Sequence, residues 1–311
     1  MRLAVALGWH SLVFEELLDL VRLAESAGFE AAFVDGDVSQ LASRGEADVL
    51  DGWTVTTALL ARTQRIEIGS IRLVHHWNAA RLAQATATLE RIAPGRFRFL
   101  ISIGGAPADL CFGLPFPPAR ERIAWLDETL SVVRRLWRGE EVTTRGRHVH
   151  LSGARVRPSP PAGRLPIAIA AAGPRMLQVV ADHADLWDIN LPPIPSRVAA
   201  AEQTLAAACR RSRRDRGEIR RSMWLFTRPD REAGDARLRD EFRRLNPWFR
   251  GMPEGELTEA IVAGSPEACR RRIGQIAEIF RLELPVADLS GLSHDAARRA
   301  IDALAPSRNR R

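Results

Sequence analysis

The chain contains no lysine and no tyrosine; all 45 of its basic residues are arginine. Without lysine, Schiff-base catalysis and the lysine of a phosphate-binding P-loop are both excluded. Anionic ligands must then be held by arginine, by backbone N–H groups or by helix N-termini. Cysteine is scarce. Cys111, Cys209 and Cys269 are widely spaced and form no CxxC pair, so neither a disulfide framework nor a zinc site is indicated, and a reducing compartment fits. No His and carboxylate set recurs at metal-ligand spacing, so no metal is expected. Long apolar runs are missing too. Met1 to Gly8 is too short for a signal peptide, and no window reaches the length of a membrane span. These absences point to a cytoplasmic protein without a membrane partner.

What is present suits a large core. Hydrophobic residues make up 46% and charged residues 27% of 311 positions, which rules out global disorder and permits a single barrel domain. The formal charge of +7 comes with arginine runs at 210–214 and 270–272. No recognition motif accompanies them, so they read as solvated helix faces and no nucleic-acid partner is expected.

Short apolar runs alternate with amphipathic segments along the chain. Strands are expected at Leu3–Leu7, Ala31–Val34, Ile66–Leu73, Phe97–Ile103, Leu165–Ala171, Leu186–Ile189, Ser222–Thr227 and Leu284–Ala287. Between them the apolar spacing predicts helices, among them Phe14–Ala27, closed by Gly28, and Gly52–Arg62, Ala79–Ile92, Arg120–Trp137 and Arg175–His183. Eight strands separated by helices imply parallel pairing with right-handed crossovers, and the count favours a closed (β/α)8 TIM barrel over 1–311 as one domain. Two stretches break the alternation and read as insertions: a β-hairpin near 141–161 and a charged helical segment near 230–259. In such a barrel the loops after the strands form the active face.

Several motifs, in order, resemble the luciferase-like monooxygenase superfamily, and especially its coenzyme F420-dependent branch. They are Ala24-Glu25-Ser26-Ala27-Gly28-Phe29 running to Asp35; Asp51-Gly52-Trp53 running through Thr63-Gln64-Arg65-Ile66; and Asn78-Ala79-Ala80-Arg81 with Pro94-Gly95-Arg96. Further along come Glu128-Thr129-Leu130 with Leu136-Trp137-Arg138-Gly139-Glu140, Pro166 to Arg175, and His183-Ala184-Asp185-Leu186-Trp187. The resemblance implies a cytoplasmic oxidoreductase taking a small-molecule substrate, with F420 as cofactor and FMN as the alternative. It also implies a homodimer formed through early helices, for which Gly52–Arg62 offers Val55, Ala58 and Leu59, although barrel packing alone could use them.

Gly173-Pro174-Arg175, between a strand and a helix, can present free N–H groups and a favourable dipole to a cofactor phosphate. Ala171 and Ala172 lead into that turn. Gly104 and Gly105 end the fourth strand and would let a flat ring approach the backbone. On the third strand, Ser70, Ile71 and Arg72 complete the cofactor set. Family members often carry a non-prolyl cis peptide there, and the matching bond is Ile71–Arg72; the Arg72 side chain could instead meet a carboxylate or a phosphate.

Asp35 matches the acidic residue that ends the second strand. The His that commonly follows in the deazaflavin dehydrogenases is here Gly36, and their catalytic Glu is replaced by Ala106. Proton transfer then falls to His10, His75 or His76, all just after strands, with Asn190 as a substrate hydrogen-bonder. Because no base is evident, reduction of a C=C or C=N bond is expected ahead of alcohol oxidation. Two other readings stand beside it: an FMN-dependent monooxygenase, and a degenerate barrel that binds a ligand without turnover.

Overall fold

The computed structural model describes residues 2–8, 12–34, 36–37, 49–105, 110–245 and 249–306; His10, Asp35 and Ala106 lie outside the described residues. The chain opens with β1 (Ala4–Ala6), α1 (Phe14–Ala27), β2 (Ala31–Val34), α2 (Gly52–Arg62), β3 (Glu67–Leu73), α3 (Ala79–Ile92), β4 (Phe97–Ser102) and α4 (Ala119–Trp137). A hairpin of β5 (Val142–Arg145) and β6 (His150–Ala154) precedes β7 (Ile167–Ala171), α5 (Pro174–His183), β8 (Leu186–Ile189) and α6 (Pro195–Arg211). The last part holds β9 (Arg220–Pro229), α7 (Ala236–Leu245), α8 (Glu254–Ala260), β10 (Val262–Gly264), α9 (Pro266–Ile279), β11 (Leu284–Asp288) and α10 (His294–Leu304).

Strands β1, β2, β3, β4, β7, β8, β9 and β11 pair in parallel in that cyclic order and close through β8–β9, giving the (β/α)8 barrel. Beyond the rim, β9 continues upward and pairs with β10. A hairpin and a helical segment lie outside the eight barrel strands and their helices. The hairpin is antiparallel, and the Glu128 carboxylate of α4 accepts the N–H groups of Arg147, His148 and Val149 in its turn. The segment after β9 contains α7 and α8 and buries a core of its own, in which Phe226, Phe242 and Phe249 pack ring against ring with Leu238, Met252 and Leu257.

Many residues of the recognised motifs are clamps between barrel elements. Glu25 accepts the N–H groups of Gln64, Arg65 and Ile66, which tethers α1 to the start of β3. Arg96 holds the end of α2 through Leu60 O and Thr63 Oγ1. Asp185 takes Ile167 N, Arg134 and Arg164, and Trp187 donates to Ala171 O. Asp51 and Asn78 cap α2 and α3. Val55 and Leu59, the expected dimer face on α2, are buried inside the single chain; helix packing against the barrel consumes them. Among the described residues no helix is long and apolar enough to cross a membrane.

The lumen is filled by small and apolar side chains, Ala4, Ala6, Ala31, Phe33, Leu100, Ala170, Leu284 and Val286. Its N-terminal end is tied by ion pairs of Arg2 with Glu30 and Glu283, of Arg220 with Glu283, and of Arg98 with Glu67. Above them lies a cavity of about 200 Å³ reached by Asp188 and Ser222. Burial raises the Asp188 carboxyl from 3.8 to about 7, and the Ser222 hydroxyl, donating at 2.8 Å, offsets only part of the shift. A carboxyl whose folded value exceeds its unfolded one favours the fold while protonated, so its contribution falls as pH rises from 3.8 to about 7. Asp188→Asn keeps an acceptor for Ser222 without the charge. It is expected to raise the melting temperature above pH 7 and to flatten that slope, as measured by thermal melts across the window. Unchanged pH dependence would show that Asp188 titrates normally.

Candidate active site

At the C-terminal end of the barrel, β2, β3 and β4 contribute one wall of the mouth. The chain leaving β2 passes unusually close to β3: a Cβ placed on Gly36 would stand 2.3 Å from both Ile71 O and Ile71 Cγ2. Only glycine fits this crossing. The next residue donates its N–H to Ile71 O at 3.0 Å, and its carboxylate turns under β3. There Asp37 Oδ1 meets Arg72 Nη1 at 2.7 Å, while Oδ2 accepts Leu73 N at 2.9 Å and Trp77 Nε1 at 2.5 Å. Asp37 thus holds both ends of the 3₁₀ turn Val74–His76, which carries the histidine pair. Burial raises the Asp37 carboxyl, and Arg72, Trp77 Nε1–H and Leu73 N–H act in the opposite direction. The close Arg72 contact and two further donors argue that the pair is ionised.

Strand alternation decides which residues of β3 face the mouth. Ile71 packs with the lumen side chains. Ser70 and Arg72 therefore point the other way, toward α2: Ser70 lies 2.8 Å from Thr56 Oγ1, and the Arg72 guanidinium sits 5.2 Å from the Trp53 ring. Expected as cofactor contacts, these two side chains occupy the layer between strand and helix instead. The Ile71–Arg72 bond is not cis; among the described residues the cis bond is Arg157–Pro158. Here β3 keeps its regular ladder with β4 through Ile71 opposite Leu100 and Arg72 opposite Ile101.

His75 and Gly104 do come together. A Cβ on Gly104 would lie 3.2 Å from His75 Cε1. The His75 ring meets His76 edge-on at 4.5 Å and Phe116 at 5.3 Å, and among the described residues its buried Nδ1 has no hydrogen-bond partner. Burial, aided by His76 and Arg122, lowers His75 from 6.5 to about 4, so it is neutral at physiological pH. Arg122 locks the β4–α4 loop from behind: it donates to Ile103 O, Gly104 O and Pro117 O and lies 3.7 Å from the Phe116 ring centre.

The adjacent wall is β7 and β8. Ser102 Oγ donates to Ala170 O at 3.2 Å and joins β4 to β7. Asn190 N donates to Ala171 O at 3.2 Å, which sets Asn190 beside the Ala171–Arg175 turn. Among the described residues, helix α5 starts at Gly173 without a side-chain cap, and a Cβ on Gly173 or Gly105 would meet nothing within 4 Å. Ala172 is half-buried, and Gly173, Pro174 and Arg175 are exposed. Uncapped N–H groups facing open space at a helix start suit an anion. The structure thus gathers His75, His76, Gly104 and Gly105 at one side and Ala171–Arg175 with Asn190 at the next.

Residues 1–281 match the luciferase-like monooxygenase family. The chain belongs to that family. Among curated relatives, an F420-dependent glucose-6-phosphate dehydrogenase of Intrasporangium calvum is 30% identical over 232 residues, 71% of this chain and 67% of that protein. The enzyme of the same name from Nakamurella multipartita is 33% identical over 175 residues, covering 55% and 50%. The chain spans about half the length of several such relatives. Of solved structures, an F420-dependent secondary alcohol dehydrogenase in complex with an F420–acetone adduct superposes with a TM-score of 0.81 at 18% identity, covering 97% and 98% of the two chains. The F420-dependent tetrahydromethanopterin reductase of Methanopyrus kandleri gives 0.74 at 17% identity, covering 98% and 97%. At these identities the likeness is one of fold.

The sequence reading missed Asp37, Phe116 and Arg122. Period-two alternation in Ile68-Gly69-Ser70-Ile71-Arg72 could have put Ser70 and Arg72 on the outer face. Nothing in the sequence signalled that Asp37 would reach Trp77. The Gly36 crossing makes a direct prediction. Gly36→His, which restores the residue common in the deazaflavin dehydrogenases, is expected to destabilise the fold by about 3 kcal/mol or more, because Ile71 O cannot retreat from the β3 ladder. Urea unfolding of the variant checks it; parental stability would mean that residues 36–37 have room to move.

Proposed function

We propose that this barrel is an F420-dependent oxidoreductase that moves a hydride between the deazaflavin and an organic small molecule. The observation that carries the reading is the start of α5, which is exposed and, among the described residues, uncapped at Gly173 beside Asn190. The names of the curated relatives support F420 over FMN. The residues present fit the cofactor: Gly173 and the N–H groups of Arg175 and Met176 would hold a phosphate, with the exposed Arg175 guanidinium beside it. Gly104 and Gly105 would leave room for the ring, and Ile71 would back it from the lumen side. When bound, F420 supplies or accepts a hydride.

The protein's own part is to bind, orient and manage a proton. His75 was expected to donate one. Burial keeps it neutral at physiological pH, so it would not supply the proton as an imidazolium, and with a value of about 4 it is a weak base as well. Among the described residues no strong base then faces a substrate hydroxyl, and C=C or C=N reduction, in which solvent would supply the proton, stays ahead of alcohol oxidation. Asn190 would orient the substrate oxygen. A homodimer, as the family resemblance implies, would need a surface other than the Val55–Leu59 face.

Fluorescence titration with F420 and with FMN, each in both redox states, tests the reading. F420 is expected to bind and FMN to bind at least ten-fold more weakly, a difference of about 1.4 kcal/mol. Gly173→Asp, with a carboxylate where the phosphate would sit, is expected to lose F420 binding at unchanged melting temperature. Equal binding by the variant would displace the phosphate from α5, and no binding by the parent would leave a barrel without this cofactor. Titration of His75 is the companion measurement. Because its folded value lies below its unfolded one, His75 is expected to lower stability as pH falls from 6.5 to about 4, and His75→Gln to remove that loss.

A further inference from the structure

The cavity at the N-terminal end of the barrel lies away from the active face, and its lining residues all belong to the described part of the chain. On β8, Trp187 and Ile189 pack into the layer between strands and helices, so Asp188 between them points into the lumen. Branched side chains ordinarily fill a barrel lumen. Here Ala168 of β7 and Ser222 of β9 leave a space of about 200 Å³, room for about six water-sized groups. Asp188 is 6% exposed, and among the described residues its hydrogen-bond partner is the Ser222 hydroxyl alone, on Oδ1. The second oxygen lacks a donor. Burial raises this carboxyl to about 7, and among the described residues no cation acts against the rise. A buried carboxyl so near neutrality ionises at little cost when an ammonium group brings the missing counter-charge.

The open end of the cavity offers donors instead. Ser222 is in register with Asp188, and Arg220 stands two residues earlier on β9, about 7 Å nearer that end. Arg98 of β4 lines the cavity as well. Arg98 pairs with Glu67 through Nε, and Arg220 with Glu283 through Nη1 at 3.0 Å. Among the described residues, Nη1 and Nη2 of Arg98 and Nε and Nη2 of Arg220 make no hydrogen bond, so each guanidinium keeps donors to spare. The acidic groups beside them are occupied, Glu67 and Glu283 by these arginines and Glu90 by the N–H of Gly95. Spare guanidinium donors suit a carboxylate.

From a lone carboxyl in the depth and spare guanidinium donors at the opening, we infer that this cavity binds a small aliphatic amino acid, its ammonium on Asp188 and its carboxylate toward Arg98 and Arg220. The site stands apart from the cofactor reading and does not depend on it. Saturation-transfer NMR titrations of the whole protein test it. The probes are alanine and β-alanine, whose charged ends lie closer together and further apart, with propionate and ethylammonium carrying one end each. At least one of the two amino acids is expected to bind, about ten-fold or more tighter than either single-ended compound. Asp188→Asn, which removes the charge and keeps the acceptor, is expected to weaken that amino acid by about ten-fold or more. Ala168→Leu fills the cavity without touching a charged group and is expected to abolish its binding, with thermal melts showing that both variants fold. A cavity that holds only water gives no transfer to either amino acid, and that result overturns the inference. Binding matched by propionate or ethylammonium, or indifferent to either substitution, overturns it as well.

Discussion

The contact between Gly36 and Ile71 O sets the arrangement of this active face. With no side chain at position 36, the segment leaving β2 can lie on β3, and its N–H at residue 37 reaches Ile71 O. That places a carboxylate under the strand, where Arg72 has been turned outward by the pleat. A buried ion pair of this kind is costly to assemble and costly to break by halves. Two extra donors, Leu73 N and Trp77 Nε1, complete the carboxylate and span the turn that carries His75 and His76. Position 36, where the family resemblance implied a histidine, is here used to build a scaffold for histidines one strand further on.

The same economy of charge governs the rest of the mouth. A protein without lysine has five N–H donors at every permanently charged side-chain cation. Buried arginine is therefore drawn to backbone carbonyls, and Arg122 and Arg228 each gather several. Both serve as rivets, Arg122 for the β4–α4 loop and Arg228 for the insertion after β9. Among the described residues, the backbone at the start of α5 and the exposed Arg175 can meet an anion, on the side where a cofactor phosphate is proposed.

The barrel was readable from the sequence because its signals are local and repeated. Runs such as Ala31–Val34 and Leu186–Ile189, each followed by an amphipathic helix, need only period and order to be placed. Recognition of the family rested on Glu25, Glu128, Asp185 and Trp187, and the structure gives these residues to clamps between neighbouring elements. Motifs that preserve a fold identify the fold; they say little about the chemistry above it.

The site was readable where it depends on backbone and hidden where it depends on side-chain partners. Gly104 and His75 follow from position just after a strand, and the structure sets them against each other. Arg72 could not be assigned without its partner, since an arginine beside a predicted cleft reads as an anion contact until a carboxylate is found under it. His75 shows the same limit in a titration. A histidine at a strand end suggests an acid near neutral pH, but Phe116, Arg122 and the adjacent His76 surround this one with apolar surface and positive charge, and all act to keep it neutral. The residue type named the chemistry available, and its surroundings selected the neutral form over the charged one.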